Sequence, residues 1–265
     1  MKKGCSQPSK AGVLQNGTQS QIQKRACETK TIGCLKKTAT PNLMKGFRQM
    51  GSSRTVWGSG TPRTLRPQWA LIELGLDYDH KKILPRGKDM DDPDFKSLSK
   101  RHKVPFYQDD RVQIGESAAI VMYLADRHGG DVLPMPAPGT EQRAILQDRT
   151  LFVMTEIDAR LYTVRLHADP PIGLSETYGT SPVAVDAAKQ YVDRQLHEAA
   201  RWLADGRQCV MGEQFGIVDI LLVSCLEWAL LYGVELPTPL GDYRERVALR
   251  SGYKTSMARN FEFKA

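Results

Sequence analysis

The sequence predicts an α/β domain followed by an all-helical one, and three observations carry that reading. Between residues 55 and 127, short β-type runs and helical spacing follow one another in the order β-α-β, an irregular stretch, then β-β-α. Residues 133–139 read Leu-Pro-Met-Pro-Ala-Pro-Gly, and three alternate prolines cannot continue a helix. Beyond them, apolar residues recur at steps of three, four or seven. The expected organisation is a basic, disordered extension over 1–50, the α/β domain over 51–132, a linker over 133–140 and the helical domain over 141–265.

Thr55-Val56-Trp57 is β-branched and aromatic and runs into a Gly58-Ser59-Gly60 turn. Arg63–Leu74 has helical spacing through Leu65, Trp69 and Ile72, and stops at Gly75. Tyr78–Leu84 is a second strand. Pro85–Pro93 is polar and loop-like, with Asp89, Asp91, Asp92 and Asp94 clustered near its end. Phe106–Ile114 is a hairpin that turns at Asp109-Asp110. Ser117 is placed to cap an apolar helix from Ala118 to Arg127. In the second half, Leu146, Val153, Ile157, Leu161 and Val164 share a face. Ser181-Pro182 starts a second helix that Gly206 ends, and Gly216–Gly233 is a third.

The chain has 265 residues and a formal charge of +7. Residues 1–50 hold ten Lys and Arg against Glu28 alone, a surplus of nine, so the remainder is net acidic by two. The basicity belongs to the extension and not to the folded body, which argues against a nucleic-acid partner. The extension has no apolar run long enough for a signal-peptide core. A targeting segment and an anchor for acidic surfaces are the functional readings of it. A dispensable stretch ahead of Met44 or Met50 is the favoured one. Cys5, Cys27, Cys34, Cys209 and Cys225 are odd in number and show neither CxxC nor metal-ligand spacing, as expected of a reduced intracellular protein. The most apolar window, Phe215–Val234, contains Asp219 and Glu227 and reads as a buried helix rather than a membrane span.

The densest signal lies at 103–124. Lys103-Val104-Pro105 precedes the hairpin, then come Glu116-Ser117-Ala118-Ala119-Ile120 and Tyr123-Leu124. A polar Gly-Glu-Ser step ahead of a helix suits a small anionic, peptide-like ligand. In order and spacing the stretch resembles the glutathione-binding half of the cytosolic glutathione transferases. Val210–Ile220 resembles a second segment of that family, in which an Asp at the third helical position closes the start of a buried helix. Asp219 fits that structural role, although Gly216 stands where Ser or Thr would cap. The resemblance runs from residue 54 to about 250. It implies a thioredoxin-like first domain, glutathione as co-substrate with no tightly bound cofactor and no metal, a homodimer in the cytoplasm and no membrane association.

Glutathione's thiol has a pKa near ~8.5, so an enzyme gains by favouring the thiolate. Related classes place a Tyr, Ser or Cys at the end of the first strand. Here Ser59-Gly60-Thr61-Pro62-Arg63 resembles the Ser-x-x-x-Arg of theta, delta and zeta types. Ser59 is then the thiolate-stabilising hydroxyl and Thr61 the fallback. The alternative is that both shape a turn and cap the next helix. Arg63 reads as a structural or dimer-contact residue. The resemblance further implies a cis Val104-Pro105 bond that presents Val104's backbone to the cysteinyl unit. It implies Glu116 on the γ-glutamyl ammonium and Ser117 on its carboxylate, with His102 and Lys103 near the glycyl carboxylate. Tyr162, His167, Trp228 and Tyr232 are candidates for the second-substrate wall, and Asp148 for a reach to the partner's glutathione. Each has core packing or a solvated surface as its alternative.

The leading expectation is a glutathione transferase acting on a small hydrophobic electrophile. A glutathione-dependent isomerase, a disulfide or peroxide reductase, and a non-catalytic binding module of the same fold are the competing readings.

Overall fold

A computed structural model describes residues 54–262. The expected basic extension, with Cys5, Cys27 and Cys34, lies outside them.

The strands are β1 (Thr55–Trp57), β2 (Asp79–Lys81), β3 (Phe106–Gln108) and β4 (Gln113–Gly115), in the sheet order β2-β1-β3-β4. β1 is parallel to β2 and antiparallel to β3, with Val56 opposite His80 and Tyr107. The two-residue period of a strand divides the side chains cleanly. Val56 and Tyr107 join the core shared with α1 (Pro62–Glu73) and α3 (Ser117–His128). Trp57 and Phe106 face the other way, onto Phe95 of α2 (Pro93–Leu98). The mixed sheet with helices on both faces is the thioredoxin-like arrangement that the sequence implied.

Three expectations need correcting. The stretch after Pro85 is not wholly irregular. Lys88–Asp91 forms a 3-10 turn, and Asp92 caps α2 by accepting from the Phe95 N–H at 2.9 Å. The clustered acids are therefore helix-start residues, too few in number to show a helical period. Second, β2 is shorter than the Tyr78–Leu84 run. Third, the cap of α3 is Glu116, not Ser117. Glu116 has φ 64°, a left-handed conformation costly for a side chain of this kind, and its carbonyl accepts the Ile120 N–H. Ser117 is thereby the first residue inside the helix. The hairpin turn is as expected: Asp109 accepts from the Arg111 and Val112 N–H groups and from the Tyr107 and Tyr123 hydroxyls.

After the proline-rich stretch the chain is helical: α4 (Glu141–Phe152), α5 (Ala159–His167), α6 (Ser175–Tyr178), α7 (Pro182–Ala200), α8 (Ile217–Leu231), α9 (Thr238–Ala248) and α10 (Ser251–Phe261). Ser181 caps α7 as expected, but α7 ends at Ala200 and a 3-10 turn, Arg201–Leu203, intervenes before Gly206. Between α4 and α5, Val153–Asp158 widens to i→i+5 bonding, a local feature that often accompanies function. α8 is buried on nearly every side, so its apolar character is explained by the core. No helix among the described residues is long and apolar enough to cross a membrane.

Asp219 closes the start of α8. It accepts from the Gly216 and Val210 N–H groups, both at 2.8 Å, and from the Tyr243 hydroxyl at 2.6 Å. Gly216 contributes no side chain, so only half of a reciprocal capping box exists. α10 packs along α1, where Arg250 pairs with Glu73 at 2.7 Å.

Candidate active site

The turn between β1 and α1 is held from three directions. The Gly58 and Ser59 N–H groups donate to the Lys81 and Ile83 carbonyls, and the Gly60 N–H donates to the Asn260 carbonyl. Asn260, on α10 and fully buried, also donates from Nδ2 to the Thr61 carbonyl at 3.0 Å. Its Oδ1 accepts from Thr64 Oγ1 at 2.8 Å and Gln68 Nε2 at 2.9 Å. One asparagine thus ties the first turn of α1 to the last helix.

Ser59 is 2% exposed, and its Oγ lies 3.0 Å from His80 Nε2. The same nitrogen lies 3.0 Å from the Gly58 carbonyl. A carbonyl only accepts, so Nε2 carries the proton and the Ser59 oxygen shares it as an acceptor. The Ser59 proton is left free to be donated elsewhere. Burial holds His80 below its ordinary 6.5 despite the bond to Gly58, so the ring is neutral at pH 7. Thr61 is occupied differently. It is the N-cap of α1, accepting from the Thr64 N–H at 3.0 Å in a full capping box. Its hydroxyl fills the capping role that the sequence left open as the alternative.

Gly58 brings the next part of the site against this turn. At φ 122° a side chain is disfavoured, and a Cβ there would stand 2.7 Å from the Val104 Cβ. Val104-Pro105 is cis, as the resemblance implied. No described residue accepts from the Val104 N–H or donates to its carbonyl. His102 and Lys103 are exposed in the preceding turn, with their N–H groups donating to the Ser99 carbonyl and hydroxyl.

Glu116 and Ser117 separate in role. The Glu116 carboxylate is exposed and accepts from Arg101 Nη1 at 2.8 Å. It borders a hollow of about 200 Å³ whose other walls include Arg101, Lys103, Phe106 and Gly115, and which Ser59, Val104 and Ser117 do not line. Ser117 is 3% exposed and accepts from Arg66 Nη1 at 3.0 Å. Arg66 is fully buried. It also donates to Ser224 Oγ at 2.7 Å and pairs with Asp158 at 2.7 Å. Asp158, brought inward at the end of the widened turn, accepts from Arg63 at 3.0 Å as well. Burial alone would raise the Asp158 carboxyl, but the Arg66 and Arg63 guanidiniums outweigh it and hold it below the usual range. A continuous chain, Ser117–Arg66–Asp158–Arg63, therefore runs from the start of α3 to the first turn of α1, which follows the turn that carries Ser59.

Arg63 stacks over the Tyr162 ring at 4.3 Å and faces Trp228 at 5.6 Å. Tyr232 packs on Trp228. Three of the four expected wall residues are thus brought together. The fourth, His167, is engaged elsewhere through Nδ1, 2.9 Å from the Gly179 carbonyl. Asp148 is exposed on α4.

His80, Arg66, Asp158 and Asn260 were not singled out from the sequence. Each acts on a site residue 21 to 199 positions away or through an intermediary, and no spacing rule reaches that far. No cluster of potential metal ligands occurs among the described residues.

Comparison with known proteins agrees with this fold. The profile of the glutathione S-transferase N-terminal domain matches residues 60–132, and that of the C-terminal domain matches 153–253. The chain belongs to the cytosolic glutathione transferase superfamily. Glutathione S-transferase D7 of Drosophila melanogaster is 28% identical over 172 residues, covering 63% of this chain and 71% of the fly protein. A sphingomonad glutathione S-transferase solved with glutathione superposes with a TM-score of 0.65 at 26% identity, over 78% of this chain and 98% of that one. A theta class enzyme from Xanthomonas axonopodis pv. citri, also with glutathione bound, gives 0.66 at 22%, over 80% and 99%, and shows the shared fold.

Proposed function

We propose that the protein is a glutathione transferase that stabilises glutathione as a thiolate through Ser59, for attack on a small electrophile. The observation that carries this is the Ser59 hydroxyl, at the turn into α1, with its oxygen accepting from neutral His80 and its proton free. A hydroxyl in that state is a ready donor to a thiolate, and one unit of thiol pKa lowering corresponds to about 1.4 kcal/mol. Thr61, already engaged as a cap, is the poorer candidate.

The remaining residues fit the three parts of the tripeptide. Val104's unpaired N–H and carbonyl suit the cysteinyl unit as an added strand. Ser117, accepting from Arg66, has its own proton to give to the γ-glutamyl carboxylate. Glu116 suits the ammonium, in exchange for Arg101. Lys103 and His102 serve the glycyl carboxylate. Among the described residues, redox chemistry by a protein thiol has no support: Cys209 and Cys225 are buried, and burial pushes both up to about 12. A cytoplasmic homodimer remains the expected state.

The test is retention on immobilised glutathione together with turnover of 1-chloro-2,4-dinitrobenzene. Retention with turnover that Ser59→Ala removes and Thr61→Ala spares is the expected result. Failure of the wild-type chain to bind glutathione would sink the proposal.

A further inference from the structure

A cation with no carboxylate partner among the described residues lies close in sequence to the backbone that holds Ser59. Arg86 lies three residues beyond Ile83, whose carbonyl accepts the Ser59 N–H. Its backbone is left-handed, with φ 67°. From the α/β domain it reaches the helical one, where Nη2 donates to Tyr162 Oη at 3.3 Å and Tyr178 Oη at 3.4 Å. It also faces the Tyr178 ring at 5.5 Å. No carboxylate among the described residues pairs with it. Arg86, through its hydrogen bond and charge, and more weakly Lys103 draw the Tyr178 phenol below its usual range. Arg63, by contrast, is paired with Asp158 and presents its stacked rings, Tyr162 and Trp228. Tyr232, packed on Trp228, is 2% exposed, and its hydroxyl has no partner among the described residues.

These groups are complementary to one kind of molecule. The exposed Tyr178 ring and the half-buried Tyr162 ring beside it offer apolar, planar contact. The two tyrosine hydroxyls accept from Arg86, so their own protons are free for an anion, and the guanidinium fork matches a carboxylate or sulfonate. We propose that the second-substrate cleft selects an aromatic electrophile bearing an anionic group, with Arg86 as the residue that receives it. This rests on the transferase reading above and names its substrate class. In the displacement, the thiolate sulfur forms a bond to the ring carbon. The carbon–halogen bond breaks, the halide leaves with that electron pair, and the thiol proton has already passed to solvent.

The experiment compares two conjugates that differ only in charge, S-(4-carboxy-2-nitrophenyl)glutathione and its carboxamide, by titration calorimetry at low salt. The carboxylate is expected to bind about tenfold more tightly, and the margin should shrink as salt screens an exposed cation. Arg86→Gln should bring the ratio close to one. Equal binding of the two conjugates by the wild type, with glutathione itself still bound, overturns this inference and leaves the transferase reading standing. An unchanged ratio in Arg86→Gln overturns the role of Arg86. Binding of neither conjugate nor of glutathione removes both proposals together.

Discussion

Ser59 and Ser117 are both buried hydroxyls that accept a hydrogen bond from behind, and both keep a proton to give away. They differ in what stands behind them. Ser59 is backed by an imidazole that burial keeps neutral. Ser117 is backed by a guanidinium locked into a buried ion cluster with Asp158 and Arg63. A neutral backing suits a hydroxyl whose task begins when a charge develops on sulfur. A cationic backing suits one whose ligand, a carboxylate, arrives already charged. Under the proposed function, the same residue type serves reaction or binding according to its partner, not its own burial.

The largest expected effect attacks the cationic side. Arg66→Met leaves Asp158 with only Arg63 and should cost about 3 kcal/mol in urea denaturation, the lower end for breaking a buried pair. A loss under 1 kcal/mol would mean that Arg63 suffices. Next, Ser59→Ala should lower kcat by about a hundredfold with KM for glutathione nearly unchanged, as for removal of one donor to a developing anion. Asn260→Ala removes the tie on the Ser59 side: the Thr61 carbonyl loses one of its three donors and the Gln68 amide one of its three acceptors. About 2 kcal/mol of stability should go, with a fall in kcat that Asn260→Asp only partly restores, since the donor to Thr61 is still missing. Ser117→Ala should instead raise the dissociation constant for glutathione about tenfold and spare kcat. An effect on kcat as large as that of Ser59→Ala would erase the contrast between the two serines.

The smallest effect is in pH. His80 has a folded-state pKa below its unfolded 6.5, so the unfolded chain binds more protons as acid is added. Stability is unaffected above that value. It falls as pH drops from 6.5 to the depressed folded value, then levels off. His80→Gln should flatten this part of a melting-temperature profile between pH 7.5 and 5, and an unchanged slope would show that another group titrates there.

Much of this was legible in the sequence because it is local. Asp219 closes a helix three residues before it, and Asp109 clamps its own turn. Val104-Pro105 and Glu116-Ser117 are short motifs at loop-to-element junctions. The cap of α3 was misplaced by one residue, because a serine is the better capping residue by type while the left-handed turn falls on Glu116. The backing groups were not legible. His80 meets Ser59 only through the parallel pairing of β1 and β2, and Arg66 reads as one more residue of an amphipathic helix until α3, α5 and α8 close around it. Arg86 lies in a stretch that reads as a polar loop, and its bonds to Tyr162 and Tyr178 span 76 and 92 residues.

The Asn260 tie bears on how the protein is made. Ser59 and its turn leave the ribosome early, but the asparagine that ties the Thr61 carbonyl to the last helix follows 199 residues later. During translation the α/β domain is present without its clasp, and the turn that carries Ser59 is finished among the last events. A nascent chain halted before α10 should therefore display the α/β domain and yet fail to ionise glutathione.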